Sequence, residues 1–407
     1  MLIKIMDILY STFKTNNLLN YLFIAFAFFF PLSVFAGNLI ALLIIFIWFL
    51  SKNLKQEILS LRNNKLFLPF LLFFSLHLLG LFWTSNIESG FEMTKKMLDF
   101  GLLFPIFLSI VKLDKRNIYI YTFLCSISII VFLSFLIWLG LIEPFKNATE
   151  FNPTPLMTHI THGPFVAFSA YIIANLILCS EEKFLTPKNI FLTGMFLAFS
   201  VNIFITGGRA GQVVFLVLMI LAYFQNFNIS LGSIFKMIFT LSLFLLIIYN
   251  TSHIFKDRVF DAYRDIKEFN EYKNTSVGLR FQYAINSLKI IEKNPLIGVG
   301  TGDYKDEYEK INKAYTPSLP ATTNPHNNYI LILSQFGILG LISLLYMFFW
   351  QMKLVDKGST LIKNIGQGLV LFFVVICFSD SYLLGHFTSF MFVFFSAFIY
   401  LPNKSSG

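Results

Sequence analysis

"NPHNNYILILSQFGILGLISLLYMFFWQMK", residues 324–353, decides how the chain folds. From Asn327 to Trp350 it is a largely apolar run, and an α-helix needs about 20 such residues to cross a bilayer. Gln351 and Lys353 end it. At the other end His326 stands between Pro325 and two asparagines, residues suited to starting a helix. The stretch therefore predicts a membrane helix with an imidazole at its mouth, and the role of that imidazole depends on the side it faces.

Comparable runs recur along the chain at 18–35, 38–51, 66–83, 97–111, 118–141, 164–179, 189–205, 212–224, 235–252, 365–379 and 387–401. Only 13% of the 407 residues are charged and 56% are hydrophobic, with 52 Phe. Soluble domains are about a quarter charged, so the composition excludes that class. In lipid the backbone must satisfy its own hydrogen bonds, which favours helices. The expected fold is an all-α polytopic membrane protein with about twelve transmembrane helices. The second run follows the first almost at once after "FAGN", a hairpin rather than a processing site.

Lys and Arg in alternate loops set the orientation. With the N-terminus inside, the inner loops hold sixteen: Lys4, Lys14, Lys52, Lys55, Arg62, Lys65, Lys112, Lys115, Arg116, Lys183, Lys188, Lys236, Lys353, Lys357, Lys363 and Lys404. The short outer loops hold four: Lys95, Lys96, Lys146 and Arg209. Both termini are expected to be cytoplasmic. The net charge of +9 reflects this asymmetry and gives no reason to expect a nucleic-acid partner. Cys125, Cys179 and Cys377 fall inside apolar runs without metal or disulfide spacing, and packing is the role expected of them.

One long loop interrupts the pattern, dividing the chain into spans 1–9 at residues 1–252, a loop at 253–326, and spans 10–12 with a tail at 327–407. By the charge rule the loop lies outside. In "VGLRFQYAINSLKIIEKNP", Phe281, Ala284, Ile285, Leu288 and Ile291 recur at helical spacing until "NP" stops the helix. Val259, Tyr263 and Ile266 pattern a second helix, and a third starts near "TGDYKDEYEKI". The loop is expected to be a folded helical cap, and "GVGTGDY" (298–304) to be a turn, since no strand precedes it to make a phosphate cradle.

Three side chains are candidates for chemistry. Arg209 sits in "TGGRAGQ" (206–212), a tight outer hairpin, where it either snorkels to headgroups or holds a specific anion. Arg280 opens the cap helix and taken alone is equally a surface residue. His326 is either a helix-start histidine bonded to nearby backbone or a base beneath the cap. His159 and His162 in "THITHGP" have no carboxylate or cysteine nearby to complete a metal site; His162 is kept as a substrate-proximal candidate. No Asp-x-Asp pair, which would suit a divalent ion on a diphosphate, occurs in any outer loop.

In this order the pieces resemble the O-antigen ligase family, within the group that includes O-antigen polymerases. His326-Asn327, nine residues, then Gly337-Ile338-Leu339-Gly340 is similar to the ligases' His-Asn-x9-Gly-x-x-Gly signature, with Asn327, Gly337 and Gly340 as its supporting positions. "LRFQYAINSLKIIEKNPLIGVGTGDY" (279–304) resembles the group's arginine-bearing helix and its glycine turn, and "GGRAG" its arginine hairpin. Val213 departs from the leucine that ligases often place there.

The resemblance implies a C-type glycosyltransferase fold at the periplasmic side of a bacterial inner membrane. The implied donor is a glycan on undecaprenyl diphosphate and the implied acceptor a sugar hydroxyl of lipid A–core. His326 would be the base and Arg209 and Arg280 would hold the diphosphate, with no metal and no cofactor. Chemistry agrees: a lipid diphosphate is already a good leaving group, a positioned base speeds attack by ~10²–10⁴-fold, and guanidinium forks bind phosphate oxygens. Alternatives are an O-antigen polymerase, a protein O-oligosaccharyltransferase, and a lipid-linked glycan transporter. Against a transporter, ionisable groups within the runs are few: His77 is interior, and Asp99 and Asp380 lie near ends.

Overall fold

The computed structural model describes residues 15–51, 54–267, 274–356 and 358–401. Lys4, Lys14, Lys52, Lys357 and Lys404 of the charge argument lie outside these residues. The described chain is helical throughout, with no strand. In chain order the helices are α1 (Thr15–Phe29), α2 (Val34–Phe49), α3 (Leu54–Arg62), α4 (Phe67–Leu79), α5 (Ile87–Lys96), α6 (Phe104–Ile110), α7 (Arg116–Trp138), α8 (His159–Leu178) and α9 (Pro187–Ile205). They continue with α10 (Arg209–Asn226), α11 (Leu231–Thr251), α12 (His253–Lys267), α13 (Ser276–Lys293), α14 (Tyr304–Tyr315), α15 (Asn328–Lys353), α16 (Thr360–Ile376) and α17 (His386–Ile399).

By length and composition six of these can cross a membrane, α7 to α11 and α15, with Leu113–Lys115 extending α7. A seventh span forms if α2 and α3, bent by 105° at their junction, count as one. Five more apolar helices are shorter: Asn17–Phe29, Phe67–Phe82, Asp99–Ile110, Thr360–Ile376 and His386–Ile399. The count of about twelve crossings is an expectation that these lengths meet only in part.

Burial of apolar surface drives helix association weakly in lipid, where packing and polar contacts do more. Phenylalanine rings provide the packing here. Phe23 and Phe26 on α1 and Phe30 just past its end meet Phe107, Phe390 and Phe394 edge-on or tilted, while Phe30 stacks on Phe123 and Phe70 on Phe104, the latter at 3.6 Å. Such ring pairs contribute about 0.5–1.5 kcal/mol each beyond their burial. At the end opposite the cap, buried Arg116 ties three segments together. It pairs with Asp356 at 2.7 Å and donates to the carbonyls of Phe398 and Leu401 just at the end of α17. Cys377 is buried as expected, but Cys125 faces outward, so packing is not its role.

Helices α12 to α14 form the cap. Its interior is polar and aromatic: Asn286 donates to Tyr308 Oη at 3.1 Å, Ser287 bonds Tyr304 Oη at 2.9 Å, and Tyr283 and Ile290 pack with them. The apolar stripe on α13 points the other way. Phe281, Ile285 and Leu288 are about half exposed, while Gln282, Asn286 and Ser287 are buried. Periodicity located this helix but did not say which face lies inward, and the exposed apolar stripe is the pattern of an interfacial helix. Val259 and Tyr263 on α12 are exposed in the same way.

Two devices dock the cap on the bundle. Asp303, 2% exposed, accepts from Ser85 N at 2.6 Å, Ser85 Oγ at 2.8 Å and Asn86 N at 2.9 Å, in the link between α4 and α5. The second is a break in α15 at Gly337, whose φ of 59° and ψ of −153° suit only glycine. The break frees the amides of Ile338 and Leu339, which donate to the carbonyls of Pro295 and Leu296 at 2.8 and 3.3 Å. It also frees the carbonyls of Ser334 and Gln335, which accept from Val299 and Gly300, each at 3.0 Å. The turn 295–302 thus completes a helix it does not belong to. Nine residues into α15, at a rise of about 1.5 Å each, this junction lies roughly 13 Å below the helix start.

The reading that the cap is outside can be tested directly. With the three native cysteines replaced, single cysteines at Lys305 or Glu292, both exposed, should react with an impermeant thiol reagent in intact spheroplasts. Reaction only after lysis would reverse the orientation.

Candidate active site

The hairpin between α9 and α10 is built for close approach. A Cβ on Gly208 would lie 2.4 Å from the carbonyl oxygen of His159, and one on Gly211 would lie 2.4 Å from the backbone of Gly163. The starts of α8 and α10 therefore touch backbone to backbone, bringing two sets of unpaired helix N–H groups and their positive dipole ends to one place. The cavity there has a volume of about 110 Å³. It is lined by His159, Gly207, Gly208, Arg209, Arg258, Arg280 and Tyr382 among others, and by no carboxylate. Three arginines from α10, α12 and α13 converge on it. Helix N-termini and guanidinium forks together describe an anion site.

His326 lies across Arg280 from this pocket. Among the described residues it is one of two non-glycine residues at positive φ, at 53°, a conformation that persists only where surrounding structure enforces it. Its amide donates to Asn324 Oδ1 at 3.0 Å, and Asn324 in turn donates to Asp380 Oδ1 at 3.0 Å. Ser381 closes the network, its hydroxyl donating to Asn324 Oδ1 at 2.7 Å and its amide to Asp380 Oδ1 at 2.7 Å. The free carboxylate oxygen of Asp380 sits 3.3 Å from His326 Nδ1, an ion-pair distance without well-aligned hydrogen-bond geometry. The His326 ring also stacks on Tyr283 of the cap, with centroids 6.2 Å apart.

Burial pushes the Asp380 carboxyl up, but the His326 ring, the Ser381 amide and Asn324 outweigh it and hold the group below the ordinary carboxylate range. Asp380 therefore stays ionised and turns Nδ1 toward itself, leaving Nε2 to the cavity. The helix-start reading of His326 fails, because the cap of α15 is Asn327, whose side chain accepts from Ile330 N at 3.1 Å.

Arg280 joins the two halves. It lines the arginine pocket and also the cavity of about 300 Å³ that His326 shares with Phe281, Ala284, Ile330 and Phe378. Arg209, Arg280 and His326 thus come together although 117 residues separate the first from the last. His162 does not join them. It is fully buried one turn down α8, with Nε2 2.7 Å from Asn202 Oδ1, and His159 takes the pocket position instead. Gly337 and Gly340 belong to the α15 break and its packing, not to the pocket.

Sequence reasoning missed Arg258 and Asp380. Arg258 is one charge among several in "KDRVFDAYRD", and only the fold selects it. Asp380 offered a signal, a carboxylate just past an apolar run on the same side as His326, but nothing in spacing pairs residues 54 apart. Among the described residues no group of three or more His, Cys, Asp or Glu is placed to hold a metal ion.

Residues 194–345 match the model of the family described as O-antigen ligase, a stretch running from within α9 through the cap to the kinked part of α15. It takes in Arg209, Arg258, Arg280 and His326 and stops short of Asp380. No curated protein matches the chain.

Proposed function

We propose that the chain, a member of the O-antigen ligase family, transfers a glycan from undecaprenyl diphosphate to a sugar hydroxyl of lipid A–core at the periplasmic face of a bacterial inner membrane. Family membership supports an enzyme of the ligase or polymerase type in lipopolysaccharide biosynthesis. The observation that carries the finer reading is that Arg280 is a wall common to the anion pocket and the His326 cavity, so a leaving diphosphate and a base can act on one sugar.

The acceptor hydroxyl gives its proton to His326 Nε2 as its oxygen bonds the anomeric carbon. The bond from that carbon to the diphosphate oxygen breaks, and its electron pair leaves with the diphosphate. Arg209, Arg258 and Arg280 stabilise the charge that develops there, already oriented and partly shielded from water. Asp380 holds the ring and favours the imidazolium that forms. Displacement without an enzyme-bound intermediate inverts the anomeric centre. Because guanidiniums occupy the place of a metal, transfer by purified enzyme should continue in EDTA; a strict need for magnesium or manganese would reassign the leaving-group stabiliser.

An O-antigen polymerase would use the same donor half with a second lipid-linked glycan as acceptor. A deletion strain separates the two. Loss of a ligase leaves polymer stranded on the carrier lipid, whereas loss of a polymerase leaves single repeats joined to core.

A further inference from the structure

The end of the bundle opposite the cap carries an elbow that takes no part in the proposed transfer. Helix α2 has 16 residues, roughly 24 Å at about 1.5 Å each, short of the ~30 Å hydrocarbon thickness of a bilayer. The chain bends by 105° into α3 before a full crossing is made. Helix α3 therefore lies along the membrane plane, at the depth where hydrocarbon meets headgroups. Side chains fix the bend. Trp48 Nε1 donates to Ser109 Oγ at 2.9 Å in the last turn of α6, Ser51 Oγ donates to Glu57 Oε1 at 3.3 Å, and Leu61 is buried.

The nine residues of α3 sort by charge. Its acid, Glu57, turns into the elbow. Its two bases, Lys55 and Arg62, are seven apart and so share a face. Both are exposed, and no carboxylate among the described residues pairs with either. Between them on that face stand Ile58 and Leu59, 45% and 48% exposed. Gln56 and Ser60 make a separate, polar side. Phe46 and Phe49, exposed at the end of α2, continue the apolar surface. Bases flanking apolar residues on such a helix suit an anionic lipid, because their stems lie in hydrocarbon and their heads reach phosphate.

We propose that α3 is a docking surface for the anionic phospholipids of the adjoining leaflet, with Ile58 and Leu59 among the acyl chains and Lys55 and Arg62 on the phosphates. By the charge rule that leaflet is the cytoplasmic one. The contact lies across the bilayer from the anion pocket and stands whether or not the chain transfers a glycan.

The test uses the full-length protein with its three cysteines replaced and a bimane on a single new cysteine at Leu59 or Gln56. The vesicles contain phosphatidylcholine and phosphatidylglycerol, with one or the other lipid brominated. The Leu59 probe should be quenched by both, since interfacial helices bury their apolar face by about 5–10 Å, and the Gln56 probe far less. At Leu59 phosphatidylglycerol should be favoured at least about fivefold, the effect of one basic residue near an anionic surface. Lys55→Gln combined with Arg62→Gln should bring that preference close to one, and should change nothing at a probe on Phe35, at the far end of α2. A Leu59 probe quenched no more than the Gln56 probe would leave this face to water or to a protein partner and overturn the proposal. Equal quenching of Leu59 by the two lipids would overturn it as well. So would a preference that survives the double substitution, which would assign the anionic lipid to other lysines at this end.

Discussion

Replacing His326 by alanine is expected to lower single-turnover transfer by roughly 10²–10⁴-fold, the range a positioned general base contributes, while donor binding stays close to wild type. The two should separate because the alanine leaves Arg209, Arg258 and Arg280 in the anion pocket, the site proposed for the donor diphosphate. Asp380→Asn should give a smaller loss in rate, since it keeps the shape of the network around Asn324 and Ser381 but removes the charge that orients Nδ1. Arg280→Lys should be nearly as damaging as the histidine change: lysine keeps one positive charge but has no planar fork to face two cavities at once. Stopped-flow or rapid-quench assays with lipid-linked donor, run beside binding measurements, give both quantities. A His326→Ala enzyme retaining more than about a tenth of the wild-type rate, far above what loss of a base allows, would end the case for this residue as the base.

Gly337→Ala should destabilise the protein markedly by the addition of a single methyl group. A Cβ there would sit 2.3 Å from the carbonyl carbon of Leu296, in backbone that must give way, and at a φ that alanine adopts only with strain. Strain of this kind costs about 1–3 kcal/mol and overpacking a similar amount, so a loss on the order of 3 kcal/mol is expected. Gly194→Ala is the control, since nothing lies within 4 Å of its added Cβ. Thermal unfolding in detergent, followed by size-exclusion chromatography, should show a lower transition for the first variant and none for the second. Equal transitions would mean that the break in α15 is not held by the cap.

How far the sequence could be read depended on the range of the interaction. Apolar runs and cap helices were visible because periodicity is local: α14 starts within "TGDYKDEYEKI", α15 starts at Asn328 and "NP" at 294–295 ends α13, although α13 begins at Ser276, a turn before the Arg280 expected to open it. The inner face of α13 was not visible, since alternation of apolar and polar residues says which sides differ and not which one lipid covers. Arg209, Arg280 and His326 could be chosen from motif and chemistry. Their neighbours could not: Asp380 meets His326 across 54 residues and Arg258 meets Gly207 across 51. Gly337 looked like part of a catalytic signature. Its spacing from His326 instead records how much helix separates the imidazole from the point where the cap is bolted in.

That junction also constrains how the protein is made. Residues 295–302 precede α15 in the chain, so the turn is synthesised before the helix that needs it. Until they meet, the carbonyls of Ser334 and Gln335 and the amides of Ile338 and Leu339 have no partners in hydrocarbon, where each unpaired group costs several kcal/mol. The nascent span can close its own ladder and stay straight, or wait for the turn and bend. Formation of the kink is thereby tied to folding of the cap: a chain whose 295–302 turn has misfolded would leave α15 straight and present His326 out of register with its arginines.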